Sequence, residues 1–180
     1  MPDTTTADSL APVAQLLAEL LSREIDEDLL ALLRADGVKD ILAAGDSDLA
    51  ASLEKPWTKA DFEAHAVEFC RLFIYPAVVP ARPEHWLKTQ SGEQFSIRRW
   101  FAEEDLPELA PHLAELPDTH VAKIFAVRAG VSGASEEWVQ EYEGEMVEPW
   151  VGALAGALRE KSEVAVYRAA GVILEAFVEG

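Results

Sequence analysis

Residues 58–74 read TKADFEAHAVEFCRLFI, and this stretch decides the fold class. Thr58 stands where a helix N-cap belongs, and Asp61 takes the capping-box position three residues on. Phe62, Ala66, Phe69, Cys70 and Phe73 then fall at i, i+4, i+7, i+8 and i+11. That is the stripe of an α-helix, not the alternation of a strand. Cys70 lies in the stripe and is expected to be a small core residue, because a reactive thiol needs an exposed, electropositive setting.

The same period runs outward in both directions. Leu10, Val13, Leu17, Leu20 and Leu21 predict a first helix capped by Asp8 or Ser9, and Ile25, Leu29, Leu32 and Leu33 a second that Gly37 ends. Short helical pieces follow near 40–44 and 47–54, closed by Gly45 and by the Pro56-Trp57 break. Beyond the opening stretch, Phe95, Ile97, Trp100 and Phe101 predict a helix near 93–103, while Pro107 and Pro111 limit 106–116 to short turns. Val121, Ile124 and Phe125 mark a helix over 119–129 that GVSG (130–133) stops. Ser135 opens another that carries Trp138, Val139, Tyr142 and Met146. Pro149 restarts the chain with Trp150, Leu154 and Leu158, and Val166, Ala170, Ile173, Leu174 and Phe177 give the last helix over 163–178. The expectation is an all-α, single-domain helical bundle over residues 1–180, with 1–7 flexible and a long proline-rich loop in the middle.

That loop is PAVVPARPEHW (76–86) within a connection of 75–92. No helix can run through Pro76, Pro80 and Pro83, and a long irregular connection in a compact domain is usually functional or disordered. The prolines argue for order, since they reduce the freedom to be lost. Glu84 and Trp86 suit a peptide with basic and apolar side chains; the alternative is that Trp86 simply docks the loop.

The chain holds 33 acidic against 15 basic residues, a formal net charge of −18. Such a body repels nucleic acid and anionic membranes and complements a basic partner. The acid run EEWVQEYEGEMVE (136–148) is either a solvated helix face or an attractor for a basic segment. A single cysteine excludes an internal disulfide and a cysteine-based zinc site. With no charged, apolar leader and no run long enough to span a bilayer, a cytoplasmic protein is expected. The histidines His65, His85, His112 and His120 form no H-x-x-x-H pair. Asp61 with His65 and Glu108 with His112 have one-turn spacing, which leaves a helical metal-binding protein or enzyme as an alternative reading. No phosphate loop and no G-x-S-x-G nucleophile elbow is present.

Three segments carry a family resemblance. They are EFCRLFIYPAVVPARPEHW (68–86), AELPDTHVAKIF (114–125) and MVEPWVGALAGALREKSEVAVYRAAGVILEAFV (146–178). In this order the chain resembles the TorD-like redox-enzyme maturation chaperones, which include the DmsD-type and NarJ-type (nitrate reductase delta subunit-like) assembly proteins. VPARPEHW is similar to the family's V-P-P-Y-E-S-V pattern, with His85 and Trp86 replacing a small and an apolar residue. PDTH is similar to E-x-P-x-D-H, with Thr119 where the Asp usually precedes the His and Asp118 one position early. In the third segment Glu148 stands where leucine is frequent. The resemblance implies an all-helical chaperone rather than an enzyme, with no cofactor of its own, monomeric or homodimeric. Its partner would be an apo-molybdoenzyme subunit, bound through a twin-arginine signal peptide until cofactor insertion is complete. The implied peptide site comprises Tyr75, Glu84, His85, Trp86, Asp118 and His120. Glu84 and Asp118 would face arginines, Tyr75 and Trp86 the apolar run, and His120 would order the loop. An acidic adaptor for some other basic protein remains a further alternative.

Overall fold

A computed structural model describes residues 10–74, 76–87, 92–101, 106–131 and 133–178. They are all-α: no strand occurs among the described residues. In chain order the helices are α1 (Ala11–Ser22), α2 (Glu27–Arg34), α3 (Val38–Gly45), α4 (Ser47–Glu54), α5 (Lys59–Phe73) and α6 (Pro83–Trp86). There follow α7 (Pro111–Ala114), α8 (Val121–Gly130), α9 (Glu136–Met146), α10 (Glu148–Lys161) and α11 (Ala165–Leu174). Short 3-10 turns occupy Gly92–Phe95, Ile97–Arg99 and Glu175–Phe177. No described helix is long and apolar enough to cross a membrane.

The chain sorts into two compact units, each made of two segments. The first comprises residues up to Ser22 and Ala81–Val151. Its centre is α8, which is buried on every side from Val121 to Arg128 and packs along α1. Leu17, Leu20 and Leu21 of α1 have lost all or nearly all contact with solvent. Trp150 is fully buried, edge-on to Phe125 at 5.8 Å, and its indole N–H donates to the Met146 carbonyl at 2.6 Å.

The second unit comprises Arg23–Pro80 and Gly152–Gly180. Here α11 packs on α3 and α4. Gly171 lets α11 approach α10 closely, since a Cβ there would stand 2.8 Å from the Ala155 carbonyl oxygen. Gly37 has φ +85° and turns the chain from α2 into α3, a conformation that glycine adopts without strain. The turn lies past the end of α2, which closes at Ala35.

The anchoring helix forms as its caps dictate. The Thr58 hydroxyl accepts from the Asp61 N–H and the Asp61 carboxylate from the Thr58 N–H, the complete capping box. Its buried face differs from the expected stripe. Glu68, Phe69 and Leu72 are buried, Phe62, Ala66 and Phe73 are half-buried, and Cys70 is exposed, not a core residue. Glu68 tolerates burial because it pairs with Arg71 at 2.7 Å and accepts the Glu163 backbone N–H at 2.7 Å. That network rotates the helix toward the 161–163 turn and leaves Cys70 outside.

Two further expectations are corrected. The connection after α5 is not wholly irregular, because Pro83 starts the one-turn helix α6 as its first residue, where its missing N–H costs nothing. The helix expected near 93–103 is instead two 3-10 turns broken at Ser96. There the Ile97 N–H leaves its own segment to bond the Asp118 carbonyl at 3.1 Å. The proposed caps Asp8 and Ser9 and the flexible segment 1–7 lie outside the described residues.

Candidate peptide-binding site

The end of the first and the whole of the second of the three segments that carry the resemblance meet inside the first unit. The Val121 N–H, at the start of α8, donates to the Ala81 carbonyl at 3.1 Å, tying the entry of α6 to the 117–123 segment. From the other side the Ile97 turn is tied to Asp118, and α6 packs against the Gly92–Phe95 turn. The stretches 81–86, 92–99 and 117–123 are therefore tied together, and they carry Glu84, His85, Trp86, Asp118 and His120. Tyr75 lies outside the described residues.

Pro83 is buried and pins α6. Trp86 is half-buried, and its ring meets the exposed His85 edge-on at 4.9 Å and 81°. Glu84 is also half-buried, but its Oε2 is sealed from solvent and has no hydrogen-bond partner among the described residues. A buried carboxylate oxygen without a donor is uncommon, because the lost hydration is not replaced.

Asp118 has the opposite character. Its Oδ1 accepts from Lys123 at 2.9 Å and its Oδ2 from Arg98. Burial alone pushes this carboxyl up, but the bonds and charges of Lys123 and Arg98 outweigh that and hold it below the usual carboxylate range. Both oxygens thus have internal partners, and Asp118 braces the site rather than lying open beside Glu84.

His120 caps α8: its Nδ1 accepts the Ala122 N–H at 3.1 Å. An accepting ring nitrogen must be unprotonated. Desolvation, helped by the nearby positive charge of Arg82, lowers the imidazole to about 4 from its ordinary value.

Lys123, which neither the motifs nor the resemblance mark, organises the site. It is 7% exposed, and its ammonium donates to the Ala114 and Leu116 carbonyls, each at 2.8 Å, and to Asp118. All three donors of the group are used. The signal was present in HVAKIFAV, where a single lysine interrupts a helix that is apolar on every side and so requires partners. Replacing Lys123 by methionine keeps the aliphatic stem but strips the donor from two carbonyls and Asp118. An expected loss of about 3 kcal/mol should appear as a lower urea midpoint with an unchanged slope.

The histidine and acid pairs do not assemble. Asp61 is spent on its capping box, and His65 sits with Nδ1 2.8 Å from the Asp61 carbonyl, stacked on Trp57 at 4.0 Å. His112 turns to Glu19, with Nε2 3.1 Å from its carboxylate, rather than to Glu108. Among the described residues no three His, Cys, Asp or Glu side chains are grouped as metal ligands. The site holds one carboxylate oxygen without a donor among the described residues, a half-buried indole and a hydrogen-bonded frame. No protein-family model matches the chain, and no curated protein matches it.

Proposed function

We propose that this chain is a TorD-like maturation chaperone that binds the apo form of a molybdoenzyme subunit through its twin-arginine signal peptide. It would hold that subunit in the cytoplasm while cofactor is inserted, before export or membrane docking. The observation that carries the reading is the buried, unpartnered Oε2 of Glu84 beside the half-buried Trp86. A guanidinium supplies planar N–H donors that match a carboxylate, and charge-assisted bonds of this kind are the strong ones. Trp86 offers an apolar face with a polar edge to the hydrophobic run that follows the arginines. The all-α architecture and the acidity of the chain agree with this role. Asp118 and His120 act inside the protein, fixing the 117–123 wall against which the peptide lies.

The test is titration calorimetry with a synthetic twin-arginine leader peptide. Glu84→Gln is expected to weaken binding by about tenfold or more, the worth of one charge-assisted hydrogen bond. Because Oε2 has no hydrogen-bond partner among the described residues, the same variant is expected to keep its thermal midpoint. Trp86→Ala is expected to lose affinity mainly for peptides with an intact apolar run. Equal affinity of Glu84→Gln and the unaltered chain would refute the reading.

A further inference from the structure

The acid-rich segment 136–148 takes no part in the site above. It forms α9, whose exposed face carries Glu137, Glu141 and Glu145, one per turn. None of the three meets a basic side chain among the described residues, whereas Glu143 is paired with Arg128. With 3.6 residues per turn these carboxylates fill an arc of about 80°, and Trp138 stands at its edge, roughly 20° beyond Glu145.

Trp138 belongs to an aromatic cluster. It stacks on Tyr142 with centroids 5.4 Å apart and planes 12° from parallel. Trp100 meets both rings edge-on at 5.5 Å, and Phe101 tilts against Trp138 at 5.6 Å. Tyr142 is fully buried, and its hydroxyl donates to the Ile124 carbonyl at 2.9 Å, so the ring behind Trp138 is fixed to α8. Trp100, Phe101 and Trp138 are only half-buried. With Val131, Ala134 and Ser135 they line a cavity of about 330 Å³, and none of these described lining residues is charged. Such a cavity accepts one large apolar group between rigid walls.

We propose that this is a second docking surface, for a basic segment of a partner protein. The segment places one large apolar side chain among Trp100, Phe101 and Trp138, and lays lysines or arginines along Glu137, Glu141 and Glu145. Charge complementarity selects this occupant: three carboxylates that meet no basic side chain among the described residues lie on the helix that carries Trp138, on a chain of net charge −18. The anchor supplies most of the affinity, and the carboxylates supply capture rate and direction. The surface shares no residue with the site around Glu84.

The probe is a labelled peptide with one phenylalanine followed by three lysines at helical spacing, measured by fluorescence anisotropy. Glu137→Gln, Glu141→Gln and Glu145→Gln combined are expected to weaken it by about tenfold and flatten its salt dependence. Trp138→Ala is expected to weaken it similarly, as is replacing the peptide's phenylalanine with alanine, which leaves the protein untouched. Glu84→Gln should leave this affinity unchanged, so failure here is separable from failure of the chaperone reading. Equal binding of the peptide without phenylalanine would reduce the effect to adsorption of a polycation and overturn the proposal. So would loss of binding in Glu84→Gln, or full binding by the triple variant.

Discussion

Replacing Arg128 by alanine should cost about 3–5 kcal/mol, a large share of the stability of an ordinary domain. Arg128 is fully buried, on the central helix α8, and pairs with Glu143 of α9, whose side chain is only 17% exposed. Truncation leaves Glu143 facing a space where its counter-charge stood and removes a long aliphatic stem from the packing. Arg128→Met separates these contributions. It keeps most of the volume and removes the cost of desolvating the guanidinium, so it should lose clearly less than Arg128→Ala in urea unfolding. If both variants lose the same amount, the charge pair rather than the packing of the stem holds α8 to α9.

Acid should weaken the protein through His120, by about 3 kcal/mol between pH 6.5 and pH 4. The imidazole has its ordinary value in the unfolded chain and about 4 in the fold, chiefly through desolvation and then through Arg82. Above pH 6.5 both states are neutral there, and the residue adds no pH dependence. As pH falls below 6.5 the unfolded chain takes up a proton that the folded chain refuses, so stability declines until the folded group also titrates. Below about pH 4 the loss is complete. His120→Asn isolates this effect, because asparagine also caps a helix N-terminus but does not titrate. The stability difference between the unaltered chain and His120→Asn should be flat above pH 7 and shift by that amount by pH 4. The other titrating groups are common to both chains and cancel. A difference independent of pH would mean that burial does not lower the imidazole and that His120 adds no acid sensitivity to the fold.

These two residues show where sequence reading stops. The resemblance gives His120 the role of ordering the loop; in the fold its ring caps α8, and the depth of its burial depends on segments brought from elsewhere in the chain. No motif marks Arg128. It sits in a run whose apolar neighbours say that the helix is internal, and only the approach of α9 reveals that its charge is matched. Asp118 and Glu84 looked alike as carboxylates near prolines. The fold makes one a fully paired brace and leaves the other with a sealed oxygen that has no partner among the described residues.

Local rules decided most of the helices. Thr58 and Asp61 begin α5, Ser135 begins α9, and Pro149 falls in the first turn of α10, because caps and prolines act within a few residues of themselves. The apolar period likewise fixed the all-α class. Which side of a helix is buried was decided only in three dimensions. In α5 the partners of Glu68 at Arg71 and Glu163 outweighed the apolar stripe and put Cys70 outside. Near Ile97 a single backbone bond to Asp118, 21 residues later, broke an expected helix into 3-10 turns. A cap or a period is a property of neighbours in the chain. A buried pair, an orphaned oxygen or a diverted N–H depends on what distant segments bring, and only the folded chain contains that information.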